Sequence, residues 1–316
     1  MVCPMRYWLK LLISLLILAV LLWRVDVGAV MQALLSAAPG GLALASLLFF
    51  LVHGVNAARL RVLLPEVPFG RLLSQTLVAQ LYALVLPGQV AGEVVKAYRL
   101  SRGAVEAERV VSAVAFDKLT GLAGLLLLTA GGLAVQRQHF GSGLLLLVGL
   151  VLASLGGVAM LCALDRPRRI ILRLLAIGGG PRREAWLLAP ARRFLDAWAA
   201  QMRRPGRAGL SVLCGILAQF CAVAGSQALG LAVGIDQPFS VWAAVIGLMS
   251  VIVLAPVTIG GIGLREASLI GLLDLVGVGH DAALVLGLGI LAFQLMVALC
   301  GALIDMAAPN PGSSAS

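Results

Sequence analysis

Three short stretches of this chain set charged residues inside or beside apolar runs. In VLPGQVAGEVVKAYRL (85–100), Glu93, Lys96 and Arg99 follow Pro87, Gly88 and Gly92. In FDKLTGL (116–122), Asp117 and Lys118 are adjacent. In VLAPVTIGGIGLREAS (253–268), Arg265 and Glu266 follow Pro256, Gly260, Gly261 and Gly263. An ionisable group at membrane depth costs roughly 2.5–3.5 kcal/mol on insertion scales, so its presence marks a functional site by default. Helix-breaking residues are costly there as well, because a freed backbone amide finds no water in hydrocarbon. Two Pro/Gly-interrupted apolar segments in corresponding halves of a chain are the sequence pointer to a transporter binding site.

Each group has a functional and a structural reading. Glu93 can meet a cationic headgroup or the amides of an opposing hairpin, or pair with Lys96 or Arg99. Arg265 and Glu266 project about 100° apart on a helix, so each needs another partner. A lipid phosphate suits Arg265, since guanidinium binds phosphate bidentately; the alternative is a salt bridge across the two halves to Glu93 or Asp117. Gly260, Gly261 and Gly263 form a tight turn whose amides, at a half-helix N-terminus, suit an anion. Pro87 and Pro256 end the first half-helices. Asp117 and Lys118 form an interface salt bridge or part of a polar path. His53, Asn56 and Arg59 drift around the second span near one end, where snorkelling to the headgroups is the simpler role. Gly121, Gly124, Gly287 and Gly289 suit close helix packing.

The elements that position these groups follow from composition. The 316 residues are 61% hydrophobic and 12% charged, with a mean hydropathy of +1.03. Soluble domains are nearer a quarter charged, so the solvent must be lipid and the chain reads as an all-α polytopic membrane protein. Apolar runs near 8–24, 40–62, 110–134, 142–164, 207–233 and 281–306 are long enough to span. The segments 72–100 and 239–277 are longer than one span and broken in the middle, which suggests re-entrant helical hairpins.

Charge placement supports that reading. With the N-terminus in the cytoplasm and each broken segment returning to its own side, twenty of the twenty-four Lys and Arg residues fall inside. The Arg-rich tract 165–207 would lie outside if each broken segment crossed once. The result is one membrane domain, 1–308, containing an inverted-topology repeat: 40–134 and 207–306, joined by the basic connector 165–207, with both termini cytoplasmic and 309–316 a disordered tail. Within the connector, Trp186, Phe194, Leu195, Trp198 and Met202 share one helical face opposite Arg192, Arg193, Arg203 and Arg204. Such a helix lies among headgroups, or the tract is a solvated basic loop that fixes topology.

The net charge of +10 is accounted for by this topology rather than by nucleic acid. Cys214 and Cys221 are two helical turns apart, roughly 10 Å, too far for a disulfide. No metal-ligand spacing, nucleotide-binding motif or nucleophile–base pair is present, so no catalytic residue, metal or cofactor is expected; an enzyme using Glu93, Asp117 and Glu266 is the least favoured reading.

At these motifs the chain resembles the membrane domain of lysylphosphatidylglycerol synthases, a family that also occurs as stand-alone membrane proteins. APVTIGGIGLREAS is similar to its C-terminal Gly-Gly-x-Gly and Arg-Glu signature, and LPGQVAGEVVKAYRL to its N-terminal Pro, Gly-Glu and base. FDKLTGL is similar to its acid–base pair, with Asp-Lys where Glu-Arg is usual. The resemblance covers about 8–306. It implies translocation of a polar-headed lipid across the bacterial inner membrane, with phosphate-bearing lipids as partners. Acyl transfer belongs to a soluble domain for which no segment here is long and polar enough. The competing reading is a non-transporting scaffold for a lipid-modifying or glycosyl-transferring enzyme; a homo-oligomer fits either.

Overall fold

The computed structural model describes residues 37–86, 90–103, 105–176, 188–255, 257–258 and 260–307. The first apolar run, Pro87, Gly88, Trp186, Pro256 and the tail lie outside the described residues. The described chain is helical, with no strand: α1 (Pro39–Leu63), α2 (Phe69–Val85), α3 (Ala91–Ser101), α4 (Ala107–Val135), α5 (Arg137–Ala163), α6 (Asp165–Ala176), α7 (Ala189–Met202), α8 (Pro205–Ala232), α9 (Phe239–Val253), α10 (Leu264–Asp274) and α11 (His280–Ala307). Of these, α1, α4, α5, α8 and α11 are long and apolar enough to cross a membrane, each within a few residues of its expected bounds. This is a multi-pass membrane protein.

Proline sets many of the boundaries. Pro39 and Pro205 occupy the first turns of α1 and α8, where the missing N–H has no helical partner to lose. Pro68 and Pro238 immediately precede α2 and α9. Pro65 follows Leu64, whose φ/ψ of −124°/68° ends α1. Gly141, at φ 72° and ψ 160°, interrupts the first turn of α5.

Both interrupted segments are helix, break, helix. In the first, α2 and α3 pack against each other; in the second, α9 and α10 do. The second break turns on Gly260, Gly261 and Gly263, at φ of 61°, 76° and 81°. A side chain rarely adopts that region, so glycine is required there. Across the molecule α1 packs on α8, α4 on α9, and α2 on α11. Helix crossings here, including that of α4 on α8, are close where glycine leaves out a side chain. A methyl group at Gly132 of α4 would sit 2.6 Å from the Ala244 nitrogen and Ser240 oxygen, and one at Gly124 would sit 2.6 Å from Gly215 C on α8. Close approach of this kind replaces the hydrophobic drive that lipid does not supply.

Two buried clusters result. One holds Leu60, Leu72, Leu100 and Phe116; the other is centred on Trp242, with Leu133, Leu269 and Leu286. By contrast α5 exposes Leu146, Leu147, Leu150 and Leu161, an apolar surface that only lipid can solvate.

The connector corrects the expectation of a helix whose apolar face meets headgroups. Helix α7 turns that face onto α4 and α5. Trp198 is buried edge-on against Phe116 at 5.2 Å, and its Nε1–H donates to the Ala159 carbonyl at 3.1 Å. Burial of Leu195 and Trp198 against protein outcompetes lipid because the indole N–H is satisfied there.

Neighbouring glycines on α4 give a test. Gly132→Ala should lower the melting temperature of the purified protein, by roughly 1–3 kcal/mol of stability for overpacking. Gly131→Ala, whose new methyl meets nothing within 4 Å, should leave it unchanged or higher. Equal effects would contradict the α4–α9 crossing.

Candidate functional site

Three turns into α4, Asp117 is buried and cannot remain charged without partners. It has two. Arg59 Nε on α1 donates to its Oδ1 at 2.6 Å, and Lys96 Nζ on α3 lies 3.6 Å from its Oδ2. Lys96 in turn reaches Glu93 Oε2 at 2.6 Å. The chain Arg59–Asp117–Lys96–Glu93 therefore ties α1, α3 and α4 together. Arg59 does not snorkel. It is 5% exposed, because Asp117 offers a charged acceptor that lies closer than the headgroups. For Asp117 the salt bridge is real but internal, at the core and not at an interface.

Arg99 turns the other way, pairing with Asp305 near the end of α11, where Tyr82 also donates to that carboxylate at 3.0 Å. It belongs to a clasp between α2, α3 and α11 and does not line the cavity described below.

The second hairpin answers the question of partners for its Arg-Glu pair. Glu266 Oε2 accepts from the Gly263 N–H at 2.7 Å, capping α10 at the positive end of its dipole. The anion at this half-helix N-terminus is thus the protein's own carboxylate, and the Gly263 amide is not free for a ligand. Arg265, 2% exposed, donates through Nη2 to the Gly260 carbonyl at 3.0 Å. The alternative partner for Arg265, a salt bridge to Glu93 or Asp117, does not form among the described residues, since those acids are already held by Lys96 and Arg59.

What these groups enclose is a cavity of about 260 Å³ bounded by α1, α2, α3, α4, α8, α9, α10 and α11. Its charged lining is Arg59, Glu93, Lys118 and Arg265. Its neutral polar lining is Asn56, Gln80, Gln219, Ser250 and Gln294, with Leu122, Leu125, Met249, Val253 and Leu254 between them. The Nη1 groups of Arg59 and Arg265 are buried and without an acceptor, and Lys118 forms no ion pair among the described residues. A buried charged donor without a partner is costly, and an anion could satisfy these; the buried Glu266 Oε1 likewise has no donor.

The two breaks meet beside this cavity. A methyl group at Gly260 would fall 3.0 Å from the Leu84 carbonyl at the end of α2. Glycine at 121 leaves room for the Arg59 guanidinium, 2.8 Å from where a methyl would be. Gly92 and Gly287 likewise serve contact, against Ala79 of α2 and the Glu266 side chain. His53, a turn before Asn56, does not line the cavity and has a buried Nδ1 without a partner. Pro87, Gly88 and Pro256 fall outside the described residues. Gln80, Gln219 and Gln294 are not among the residues the sequence singles out, yet each is an amide in an apolar run, and Gln294 is the lone amide of α11. A larger groove of about 600 Å³ lies between α4 and α7, but two of its acids are matched: Arg109 with Glu66 and Arg193 with Glu108.

Removing the shared carboxylate is the sharpest test of the network. Asp117→Asn leaves Arg59 and Lys96 short of counter-charge and should cost about 3–5 kcal/mol, as for other buried pairs stripped of one member. Arg109→Gln, which breaks only the exposed pair to Glu66, should cost at most about 1 kcal/mol. Thermal melts in detergent in which the two variants lose equal stability would contradict the buried network.

No curated protein matches the chain. Residues 7–301 match the family model described as the lysylphosphatidylglycerol synthase TM region. That match covers nearly all of the spans, both broken segments and the residues that line the cavity; the chain belongs to the lysylphosphatidylglycerol synthase TM-region family.

Proposed function

We propose that this protein is a lipid translocase of the bacterial cytoplasmic membrane and not an enzyme. A phosphate-bearing headgroup passes through the cavity while its acyl chains stay in lipid. The carrying observation is that Arg59 and Arg265, one from each half and each with a buried guanidinium nitrogen that has no acceptor, line one cavity with Lys118. At about 260 Å³ the cavity suits a headgroup and not the chains attached to it. Inward-facing cations compensated by a substrate explain why charges this costly are kept.

In this reading the two broken segments are re-entrant hairpins in an inverted repeat, with both termini cytoplasmic. The packing supports it: exchange α1 with α8, α2 with α9, α3 with α10 and α4 with α11, and the α4–α9 crossing becomes α2–α11. The same exchange turns the α3–α4 contact into α10–α11. A substrate site at the interface of two such repeats is the common transporter arrangement.

The test is leaflet exchange in liposomes carrying headgroup-labelled phospholipids, followed by an impermeant quencher. Wild type should speed exchange. Arg265→Ala should slow it roughly 10–100-fold, the loss expected for a charged hydrogen bond worth about 1.5–3 kcal/mol. Equal exchange by the two would exclude this cavity as the path. No exchange with any lipid, together with co-purification of a lipid-modifying enzyme, would favour the scaffold role.

A further inference from the structure

Between α6 and α7 lies a second cationic site, independent of the translocation reading. A cavity of about 480 Å³ there is lined by Arg169, Arg173, Arg192 and Arg193 with Leu172, Leu188 and Ala189. No carboxylate among the described residues lines it. The acids close by are already committed. Asp165 takes Arg168 and Arg203, both at 3.0 Å; Asp196 takes Arg168 at 2.8 Å; and Glu108 takes Arg193 at 3.0 Å. Arg169, Arg173 and Arg192 are exposed and form no ion pair among the described residues. The same Asp165 and Asp196 pairs clip α6 to α7, so the arginines are held together in advance of any ligand.

The placement identifies the occupant. Helix α6 starts two residues after the spanning helix α5 ends at Ala163, which puts it at headgroup depth. Arg166, Arg169 and Arg173 recur at helical spacing along one stripe. Beside that stripe Ile170 and Leu174 are 55% and 62% exposed, with Leu164 exposed at the junction. Apolar side chains adjoining an arginine row are the pattern of a helix lying in the bilayer surface. A soluble anion would account for the arginines but not for the exposed Ile170 and Leu174. We infer that the α6–α7 cleft is a docking site for an anionic phospholipid of the adjoining leaflet, with its phosphate among Arg169, Arg173 and Arg192 and its chains along Ile170 and Leu174.

The test uses the full chain carrying Arg265→Ala, so that binding in the translocation cavity is weakened alike in every variant compared. Bound lipid is counted by native mass spectrometry after titration with phosphatidylglycerol or phosphatidylcholine in mixed micelles. Phosphatidylglycerol should be preferred. Combining Arg169→Gln, Arg173→Gln and Arg192→Gln should weaken its binding at least about tenfold, since each cation near an anionic surface contributes on the order of 1 kcal/mol before screening. The same three positions as Lys should keep the preference, and unchanged melting without lipid would show that the Gln variant is folded. The inference is overturned if wild type and the Gln variant bind phosphatidylglycerol alike, if phosphatidylcholine binds equally well, or if excess inorganic phosphate displaces the lipid. Because α6 and α7 do not line the translocation cavity, failure here leaves the leaflet-exchange result untouched.

Discussion

Asp117 is the constraint on which the rest depends. A carboxylate this deeply buried must be matched, and it is matched by cations from two different elements, Arg59 and Lys96. That requirement fixes both α3 and α1 against α4, and it consumes Glu93 through Lys96. Burying ions in this way is poor stabilisation when compared with apolar packing. Its product is position: the guanidinium of Arg59 is held on Asp117 beside the cavity, where Gly121 makes room for it.

The second half solves a similar problem differently. Its acid, Glu266, is spent on the N-terminus of α10, and its base, Arg265, on a carbonyl of the glycine turn. The carbonyl takes one edge of the guanidinium without neutralising it. One half therefore presents a compensated cation and the other a cation without a carboxylate partner, and both line the same space. Glycines at 260, 261 and 263 make the turn that allows this, and the contact of Gly260 with Leu84 brings the two breaks together.

The spans were legible because each is a long apolar run, and the breaks because proline and glycine interrupt such runs at no other comparable place. The groups around the cavity were legible as types, since any charge in so apolar a chain stands out. Their pairings were not. Arg59 and Asp117 are 58 residues apart, and sequence spacing alone made Arg59 a headgroup contact. Glu266 had a local signal, an acid three residues into a helix after glycine, but its adjacency to Arg265 suggested a ligand pair. The glutamines were missed because amides carry no charge. The amphipathic face of α7 was read correctly, but periodicity cannot tell protein from lipid as the surface it meets.

The central claim is that cationic side chains from both halves face one water-accessible cavity at membrane depth. Ser250 lines that cavity on α9, so its replacement by cysteine, with Cys3, Cys162, Cys214, Cys221 and Cys300 removed, reports on it directly. Membrane-impermeant thiosulfonates of opposite charge would be applied to the reconstituted protein. The account predicts that the cysteine reacts, that the anionic reagent reacts faster than the cationic one, and that Arg265→Ala narrows the difference. A cysteine that neither reagent reaches, or one that prefers the cation, would contradict it.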